Sequence, residues 1–480
     1  MTFTFDNTFA RELDGFYAPQ RPEPVRQPTM VRFNHDLAAL LGLDADLLDS
    51  PYGASVFGGN VVPDGASPLA QAYAGHQFGN FNPQLGDGRA VLLGEVIGTD
   101  GRRYDVALKG SGRTPFSRGG DGRAALGPVL REYLMGEAMH ALGVPTSRAL
   151  AAVATGETVR RDRPLPGAVL TRVASSHLRI GTFQFFAARG LDDFVRTLVD
   201  HALRRHAPDE LDGGEPSLAV LRGVTRRQAE LVARWMHLGF VHGVLNTDNT
   251  TISGETIDYG PCAFVEHHDP RAVFSSIDSG GRYAFGNQPS IVQWNLARLA
   301  EALLPTISPD REAAAELANE VVSGFGPAFE RSWRRLGSAK LGLADQRDGD
   351  DELLDDWVEL LRSQRIDHTL GWRGLADPDS LRPMFDEPEA FDRWRTRWAA
   401  RIGDDPMVEG RLRAANPRVV PRNHLVEAAI TAAVDDGDLA PFDRLVSAVR
   451  SPYLDDPSTA DLAAPAPPGF LDGYRTFCGT

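Results

Sequence analysis

The sequence predicts an α+β protein with two lobes, preceded by an N-terminal arm and followed by a helical C-terminal extension. Short strand patterns surround one amphipathic helix between residues 90 and 173, and a polar loop follows at residues 242–260. From about residue 290 onward, apolar residues recur at helical spacing. The expected parts are the arm at 1–60, the N-terminal lobe at 61–155, the C-terminal lobe at 156–300, and the extension with its tail at 301–480.

Composition narrows the class of protein. A chain of 480 residues is long enough for two or three domains. Its net charge of −15 argues against nucleic acid and anionic membranes as partners. The chain lacks an apolar run of about 20 residues, and residues 1–10 lack a basic segment followed by an apolar core, so we expect a cytoplasmic protein.

Cysteine and lysine are both scarce. The two cysteines, Cys262 and Cys478, are too few for a disulfide framework or a zinc cluster. Lysine occurs only as Lys109 and Lys340, against 48 arginines. Where arginine has replaced lysine almost everywhere, a remaining lysine is a candidate for a role that needs a compact ammonium group. The alternative is that two lysines survive by chance.

A glycine-rich turn marks the first candidate for phosphate binding. Gly86-Asp87-Gly88-Arg89 precedes a strand predicted at residues 90–97. Glycines there let backbone N–H groups approach a phosphate closely, and Arg89 adds a positive charge. The alternative is an ordinary hairpin turn with a surface arginine. In the arm before it, residues 35–48 have an amphipathic helical pattern.

A second strand, Arg103 to Leu108, ends at Lys109. Its Val-Ala-Leu-Lys end has the form of the β3 strand of protein kinases, whose lysine holds the α and β phosphates of ATP and pairs with a helix glutamate. An amphipathic helix predicted at residues 128–142 offers Glu132 and Glu137 as partners. We favour Glu132, although spacing does not separate the two, and a purely structural lysine is the alternative.

Two further polar segments carry candidate residues. Asp121 and Gly122 lie in a loop and, taken alone, predict a turn. Arg172 and Arg179 flank the sequence Ser-Ser-His-Leu after a strand pattern. Arginines in an acidic protein are commonly solvated or paired with carboxylates, and the alternative is a bidentate clamp on phosphate.

The stretch HGVLNTDNTTISGETIDYG, residues 242–260, is where we expect the chemistry. It predicts a tight loop with Asp248 and Asn249, then a short hairpin within residues 249–257 that delivers Asp258. An Asn and an Asp held together in this way form a hard-oxygen site for Mg²⁺ that bridges nucleotide phosphates, as in protein-kinase catalytic loops. The sequence therefore predicts an ATP site, although Asp-Asn by itself is more often a simple turn.

One position departs from the kinase pattern. In H-R-D-x-x-x-x-N the catalytic Asp lies five residues before the metal-binding Asn, and here Val244 occupies that place. Valine cannot accept a proton. The nearest carboxylate is Asp248, so any base must approach the nucleotide from a different place.

The remaining elements follow from hydrophobic spacing. We predict strands at 149–154 and 168–173, helices at 191–206, 225–239 (with Thr225 as N-cap), 291–304, 311–325, 351–362, 391–402 and 423–434, and a tail of little structure at 459–469.

Together these segments resemble the selenoprotein O family, also called the YdiU family, of protein adenylyltransferases. The resemblance covers nearly the whole chain and rests on QAYAGHQFG, QLGDGRA, KGSGRTPFSRGGDGRA, TRVASSHLRIGTFQ, HGVLNTDN, IDYGPCAF and NPRVVPRNHL. It implies a protein-kinase-like fold that transfers AMP from ATP to Ser, Thr and Tyr hydroxyls of proteins, with the nucleotide reversed relative to kinases. Some bacterial members also use UTP. The reversal makes Val244 tolerable, because a base at that place would serve no purpose.

The resemblance also implies roles for individual residues. Asp248 would accept the proton, while Asn249 and Asp258 would hold Mg²⁺ or Mn²⁺. Lys109, oriented by Glu132, would bind phosphate. The other implied ATP contacts are Gly86, Gly88, Arg89, Asp121, Gly122, Arg172, Arg179 and Asp258. The chain has Cys478 near its end, where many eukaryotic members carry selenocysteine.

Two other functions remain as alternatives. A kinase would use the same fold and metal to transfer the γ-phosphoryl group, and Val244 argues against it. A pseudokinase scaffold would bind ATP without chemistry, and the retained metal and base residues argue against that. A separate hypothesis is an oxidative link between Cys262 and Cys478 that holds the tail over the site; two unrelated thiols are the alternative.

Overall fold

The computed structural model describes residues 3–206 and 214–477. Its twelve described strands are β1 Tyr17–Pro19, β2 Thr29–Phe33, β3 Leu69–Gln71, β4 Gly75–Gln77, β5 Asn80–Asn82, β6 Ala90–Ile97, β7 Arg103–Lys109, β8 Ala124–Ala125, β9 Arg148–Arg160, β10 Pro164–Ala174, β11 Phe240–Val241 and β12 Ala263–Phe264. Eight of them form one antiparallel sheet in the order β1-β3-β6-β7-β10-β9-β2, with β8 beside β10. The pairs β4-β5 and β11-β12 stand apart from this sheet.

Helices occupy most of the rest of the described chain. They are α1 Thr8–Glu12, α2 His35–Leu40, α3 Ala45–Leu48, α4 Pro51–Phe57, α5 Leu126–Ala141, α6 Ile180–Ala187, α7 Asp192–His206, α8 Pro216–Leu238, α9 Gln288–Ile307, α10 Arg311–Ser323, α11 Phe325–Lys340, α12 Asp350–Ser363, α13 His368–Gly374, α14 Pro378–Leu381, α15 Pro388–Ile402, α16 Val408–Ala415, α17 Asn423–Thr431, α18 Ala440–Val449 and α19 Ala460–Ala463.

The first 60 residues supply both edges of the large sheet. Strand β1 pairs with β3 at one edge, and β2 pairs with β9 at the other. The single helix predicted at residues 35–48 is instead the two helices α2 and α3. Gly42 adopts a left-handed φ of 66° between them, and the Asp44 side chain caps α3 by accepting from Leu47 N at 3.0 Å. The helical spacing continues across this break, which explains why it predicted one helix.

The centre of the sheet agrees closely with the sequence prediction. Strands β6 and β7 are confirmed, and α5, with most of its residues buried, packs against β9 and β10. Strands β9 and β10 run longer than predicted, and their ends, Arg160 and Pro164, face one another in register. Strand β9 crosses the boundary expected at residue 155, so the sheet extends to Ala174.

Helix α8 begins nine residues before the predicted start at Thr225. Its N-cap is Glu215, whose side chain accepts from Leu218 N at 2.8 Å, while Thr225 is buried inside the helix. The N-cap prediction was therefore wrong, because a threonine at a helix start and a threonine inside a helix look alike in sequence. Gly239 ends the helix at a φ of 73°, and the chain turns into β11.

The C-terminal helices enclose a core of their own. Phe391, Trp394 and Trp398, at helical spacing along α15, are buried in it. Helix α11 was not predicted; it packs against α8 and ends at Lys340. None of the helices in the described part of the chain combines the length and apolar character needed to cross a bilayer.

Lys340 lies inside this helical region. Its Nζ donates to His237 O at 2.9 Å and lies 4.6 Å from the centre of the Trp372 ring. Burial lowers the pKa of Lys340 from 10.5 to about 7. In the unfolded chain the ammonium keeps its ordinary pKa, so between these two pKa values the unfolded state binds more protons.

We expect the free energy of unfolding to rise with pH between about 7 and about 10, because the native state loses the Lys340 proton in this range and the unfolded state keeps it. In the Lys340→Met variant the free energy of unfolding should rise less steeply with pH. His368 Nε2 also contacts His237 O, at 3.1 Å, so the carbonyl keeps a polar neighbour. Urea midpoints of both proteins at four pH values measure the effect, and equal slopes would contradict it.

Candidate functional site

A cleft of about 560 Å³ lies where the glycine turn, β7, β10 and the loop at 242–260 meet. This volume is in the range of small-molecule sites. Eleven predicted site residues line the cleft: Gly86, Gly88, Arg89, Lys109, Asp121, Gly122, Arg172, Arg179, Asp248, Asn249 and Asp258. Glu132 lies behind Lys109 on α5.

Four charged groups from different elements meet at the base of the cleft. Lys109 Nζ donates to Glu132 Oε2 at 2.7 Å and to Asp258 Oδ1. Arg172 Nε donates to Glu132 Oε1 at 2.6 Å. Strand register explains this meeting, since Arg172 lies opposite Ala107, two residues from Lys109 on the same face of the sheet. The predicted pairing of Lys109 with Glu132 is present.

The other candidate glutamate points elsewhere. Glu137 accepts from Arg148 Nε at 2.9 Å and from Arg450 NH2 at 2.9 Å. It therefore ties α5 to β9 and to the end of α18. Position along α5 separates the two glutamates, because residues five apart on a helix point in different directions.

The two carboxylates of the cluster are held ionised. Burial opposes ionisation of Asp258, but Lys109, Arg172 and Arg89 outweigh it and hold the pKa of Asp258 well below its usual value. Burial likewise opposes ionisation of Glu132, yet Arg172 and Lys109 lower its pKa. Asp258 also has a φ of 64°, which is uncommon for a residue other than glycine and typical of functional sites.

The glycine turn is fitted tightly to the loop that follows β7. Gly86 has a φ of 70°, and a Cβ there would lie 2.2 Å from the Phe116 ring. A Cβ on Gly88 would lie 2.8 Å from Phe116 O. Thr114 Oγ1 donates to Asp87 O at 2.6 Å. The absence of side chains at both glycines therefore lets the two loops close one wall of the cleft.

Asp121 is engaged by an arginine that the sequence analysis did not select. Arg161 NH1 and NH2 contact the Asp121 carboxylate at 2.9 and 3.2 Å, and Arg123 N donates to it at 2.9 Å. Arg161 also lines the cleft. Its only signal in the sequence is its place in the arginine-rich turn between β9 and β10.

The prediction of a hairpin within residues 249–257 was wrong. Residues Thr247–Asn249 form a 3-10 turn, Thr251 bridges Arg179, and Thr256 bridges Thr146. The backbones of the two limbs thus bridge to distant segments, and between the limbs Thr251 Oγ1 donates to Glu255 O at 2.7 Å. The backbone of those segments satisfies their hydrogen bonds: Ile180 N donates to Thr250 O at 3.0 Å. Asp258 still reaches the cleft.

Asp248 and Asn249 lie side by side in that turn. Burial raises the pKa of Asp248 to about 6, although Arg179 and Gln77 act in the opposite direction. Asn249 Nδ2 donates to Val244 O at 3.1 Å, which leaves the amide oxygen as a potential ligand. The Val244 side chain lines the cleft.

The donor set fits a divalent cation that arrives with phosphates. Among the described residues no group of three His, Cys, Asp or Glu side chains is arranged to hold a metal by itself. Asn249 and Asp258 both line the cleft and carry hard oxygen atoms that could serve as ligands. Mg²⁺ is commonly bound by one or two such groups together with substrate phosphates and water.

Cys262 is buried, and its Sγ donates to Tyr259 O at 3.5 Å. Burial raises its pKa to about 11, which disfavours the thiolate. Cys478 lies outside the described residues, so the link between the two stays a prediction. Thr476 Oγ1 donates to Pro261 O at 2.6 Å and so brings the last described residues next to Cys262.

Comparison with known proteins gives a consistent result. The chain matches the family described as "Protein adenylyltransferase SelO" over residues 1–450. A protein named "Protein nucleotidyltransferase YdiU" from Cereibacter sphaeroides strain KD131 is 58% identical over 485 residues, with 100% of both chains covered. Proteins of the same name from Methylorubrum populi and Rhodopseudomonas palustris are 55% and 54% identical, each covering 100% of this chain and 99% of the relative.

The charge cluster predicts that substitution of Glu132, but not of Glu137, weakens nucleotide binding. Glu132→Gln should weaken binding of Mg²⁺ with a non-hydrolysable ATP analogue by about tenfold, because Lys109 and Arg172 lose a charged acceptor that orients them. Glu137→Gln is the matched control and should keep the affinity of the wild type. Calorimetric titration measures both. Equal losses in the two variants would mean that the cluster does not orient the phosphate-binding cations.

Proposed function

The chain belongs to the SelO family of protein adenylyltransferases, and we propose that it transfers AMP from ATP to Ser, Thr and Tyr hydroxyls of proteins, with UTP as a second nucleotide donor. One observation carries the proposal. Val244 stands where a kinase has its base, whereas Asp248 Oδ1 is buried without a hydrogen-bond partner among the described residues. The Asp248 carboxylate lines the cleft beside Asn249, which suits a base that approaches the α-phosphate.

The cations of the cleft support binding of a triphosphate. Lys109, Arg89 and Arg172 converge near Asp258, and Arg179 stacks on Tyr73 with its guanidinium carbon 4.2 Å from the ring centre. We propose that the γ-phosphate points inward toward Lys109 and that the α-phosphate faces Asp248. The glycine turn would add backbone N–H donors.

Asn249 and Asp258 would hold Mg²⁺ or Mn²⁺. When bound, the ion neutralises charge on the phosphates and on the departing pyrophosphate. The low pKa of Asp258 keeps that carboxylate charged for this role at neutral pH. The hydrogen bond from Asn249 Nδ2 to Val244 O holds the Asn249 side-chain amide in place.

The chemical step follows from these positions. The Asp248 carboxylate takes the proton of the incoming hydroxyl, and the hydroxyl oxygen attacks the α-phosphorus. The bond from that phosphorus to the bridging oxygen breaks, and pyrophosphate leaves with the electron pair. Lys109 and the arginines stabilise the charge that develops on it.

The same proposal includes the kinase-like division into two lobes, with an arm before them and a helical extension after them. The large sheet would form the core of the first lobe, and α8 with the loop at 242–260 would form the core of the second. The cleft would then lie at their junction, since residues of β7 and β10 line it together with Asp248 and Asn249.

ATP labelled on either the α or the γ phosphate tests the function. We expect the α label, and not the γ label, on the protein itself or on casein as acceptor, with release of pyrophosphate. A kinase would deposit only the γ label, and a pseudokinase scaffold would deposit neither. Intact-mass analysis with ATP and with UTP identifies the transferred group.

Asp248→Ala tests the assignment of the base. We expect at least about a hundredfold loss of AMP transfer, because the hydroxyl loses its proton acceptor. Binding of ATP, measured as the thermal shift that it produces, should persist. Full transfer by this variant with normal ATP binding would show that Asp248 is not the base.

A further inference from the structure

The small hairpin β4-β5 covers the turn that carries Asp248. Three backbone or side-chain donors of the hairpin contact three successive residues of that turn. His76 N donates to Thr247 Oγ1 at 2.7 Å, Phe78 N donates to Asn246 Oδ1 at 3.2 Å, and Gln77 Nε2 donates to Asp248 Oδ2 at 3.2 Å. An isolated two-stranded hairpin is marginal in water, so these contacts matter for its position.

The tip of the hairpin is shaped for this close fit. Phe78 and Gly79 both have positive φ angles, 52° and 84°, as in the type I′ turn of tight hairpins. Such a φ is uncommon for an aromatic residue. Phe78 N also donates to the Tyr283 hydroxyl at 3.0 Å, and the two rings pack 5.2 Å apart, which fixes the tip.

The hairpin distinguishes the two oxygens of Asp248. Gln77 donates to Oδ2, while Oδ1 has no hydrogen-bond partner in the described chain. Gly75 lies against Oδ1, and a Cβ at this position would stand 2.4 Å from it. A buried acceptor without a partner costs free energy, so the surroundings of Asp248 must hold its carboxylate in this orientation.

We propose that Gln77 is a positioning residue: it holds the Asp248 carboxylate by Oδ2 while Gly75 packs against Oδ1, so that the carboxylate is fixed in one orientation at the cleft, where it accepts the proton of the incoming hydroxyl. This inference rests on the proposed function. Gln77 lines the cleft without a place among the phosphate-binding cations. Substitution of Gln77 should therefore lower the rate of transfer and leave nucleotide binding unchanged.

The Gln77→Met variant tests the proposal, because methionine keeps the length of the side chain and removes the N–H donor. At saturating ATP we expect kcat for AMP transfer to fall by about tenfold, since a hydrogen bond to a charged group orients the base. The ATP concentration for half-maximal rate should stay within about twofold of wild type. Gln77→Glu should lose at least as much, because it places a like charge beside Asp248.

Phe81→Ala is the matched control on the same hairpin. Phe81 is 41% exposed, packs on His76 and is not among the residues that line the cleft, so we expect unchanged kcat. Wild-type kcat in Gln77→Met would overturn the positioning role. Gln77→Met and Phe81→Ala could also lose kcat and thermal stability to the same extent. That result would overturn the positioning role too, because it would show that transfer needs only an intact hairpin. No AMP transfer by the wild type would overturn both this role and the proposed function.

Discussion

The cluster of Lys109, Glu132, Arg172 and Asp258 is the constraint on which the cleft depends. Its members come from β7, α5, β10 and the loop after α8, so the cluster joins the sheet to the loop that carries Asp248 and Asn249. The charges are largely withdrawn from water and compensate one another. Removal of one from such a buried group leaves another uncompensated, which typically costs about 3–5 kcal/mol. Assembly of the cleft and folding of its surroundings are therefore coupled.

Backbone geometry supplies the rest of the cleft. Gly86 and Gly88 allow two loops to meet where side chains would collide, and Gly75 does the same beside Asp248. The limbs of the loop at 242–260 find partners in Thr146 and Arg179, so the segment is held from outside rather than by itself. Together these contacts give a loop with little regular structure a defined shape.

The arrangement uses kinase elements for a different reaction. The strand lysine with its helix glutamate, and the paired Asn and Asp, are those of a kinase nucleotide site. In the proposed mechanism Asp248, rather than a residue at the place of Val244, accepts the proton. The hairpin β4-β5 places a further polar contact on Asp248, in a position for which the kinase motifs have no counterpart.

The sequence by itself determined the strands and helices whose periodicity is strong, such as β6, β7 and α5, and the residue types of the cleft. Those features depend on local spacing and on motifs within a few residues. Four features needed the tertiary structure: the pairing partners of Thr251 and Thr256, the start of α8, the ion pair of Arg161 with Asp121, and the contact of Gln77 with Asp248. The last joins residues 171 positions apart. No local pattern carries such a contact, because it forms only when the folded sheet and the polar loop are brought against one another.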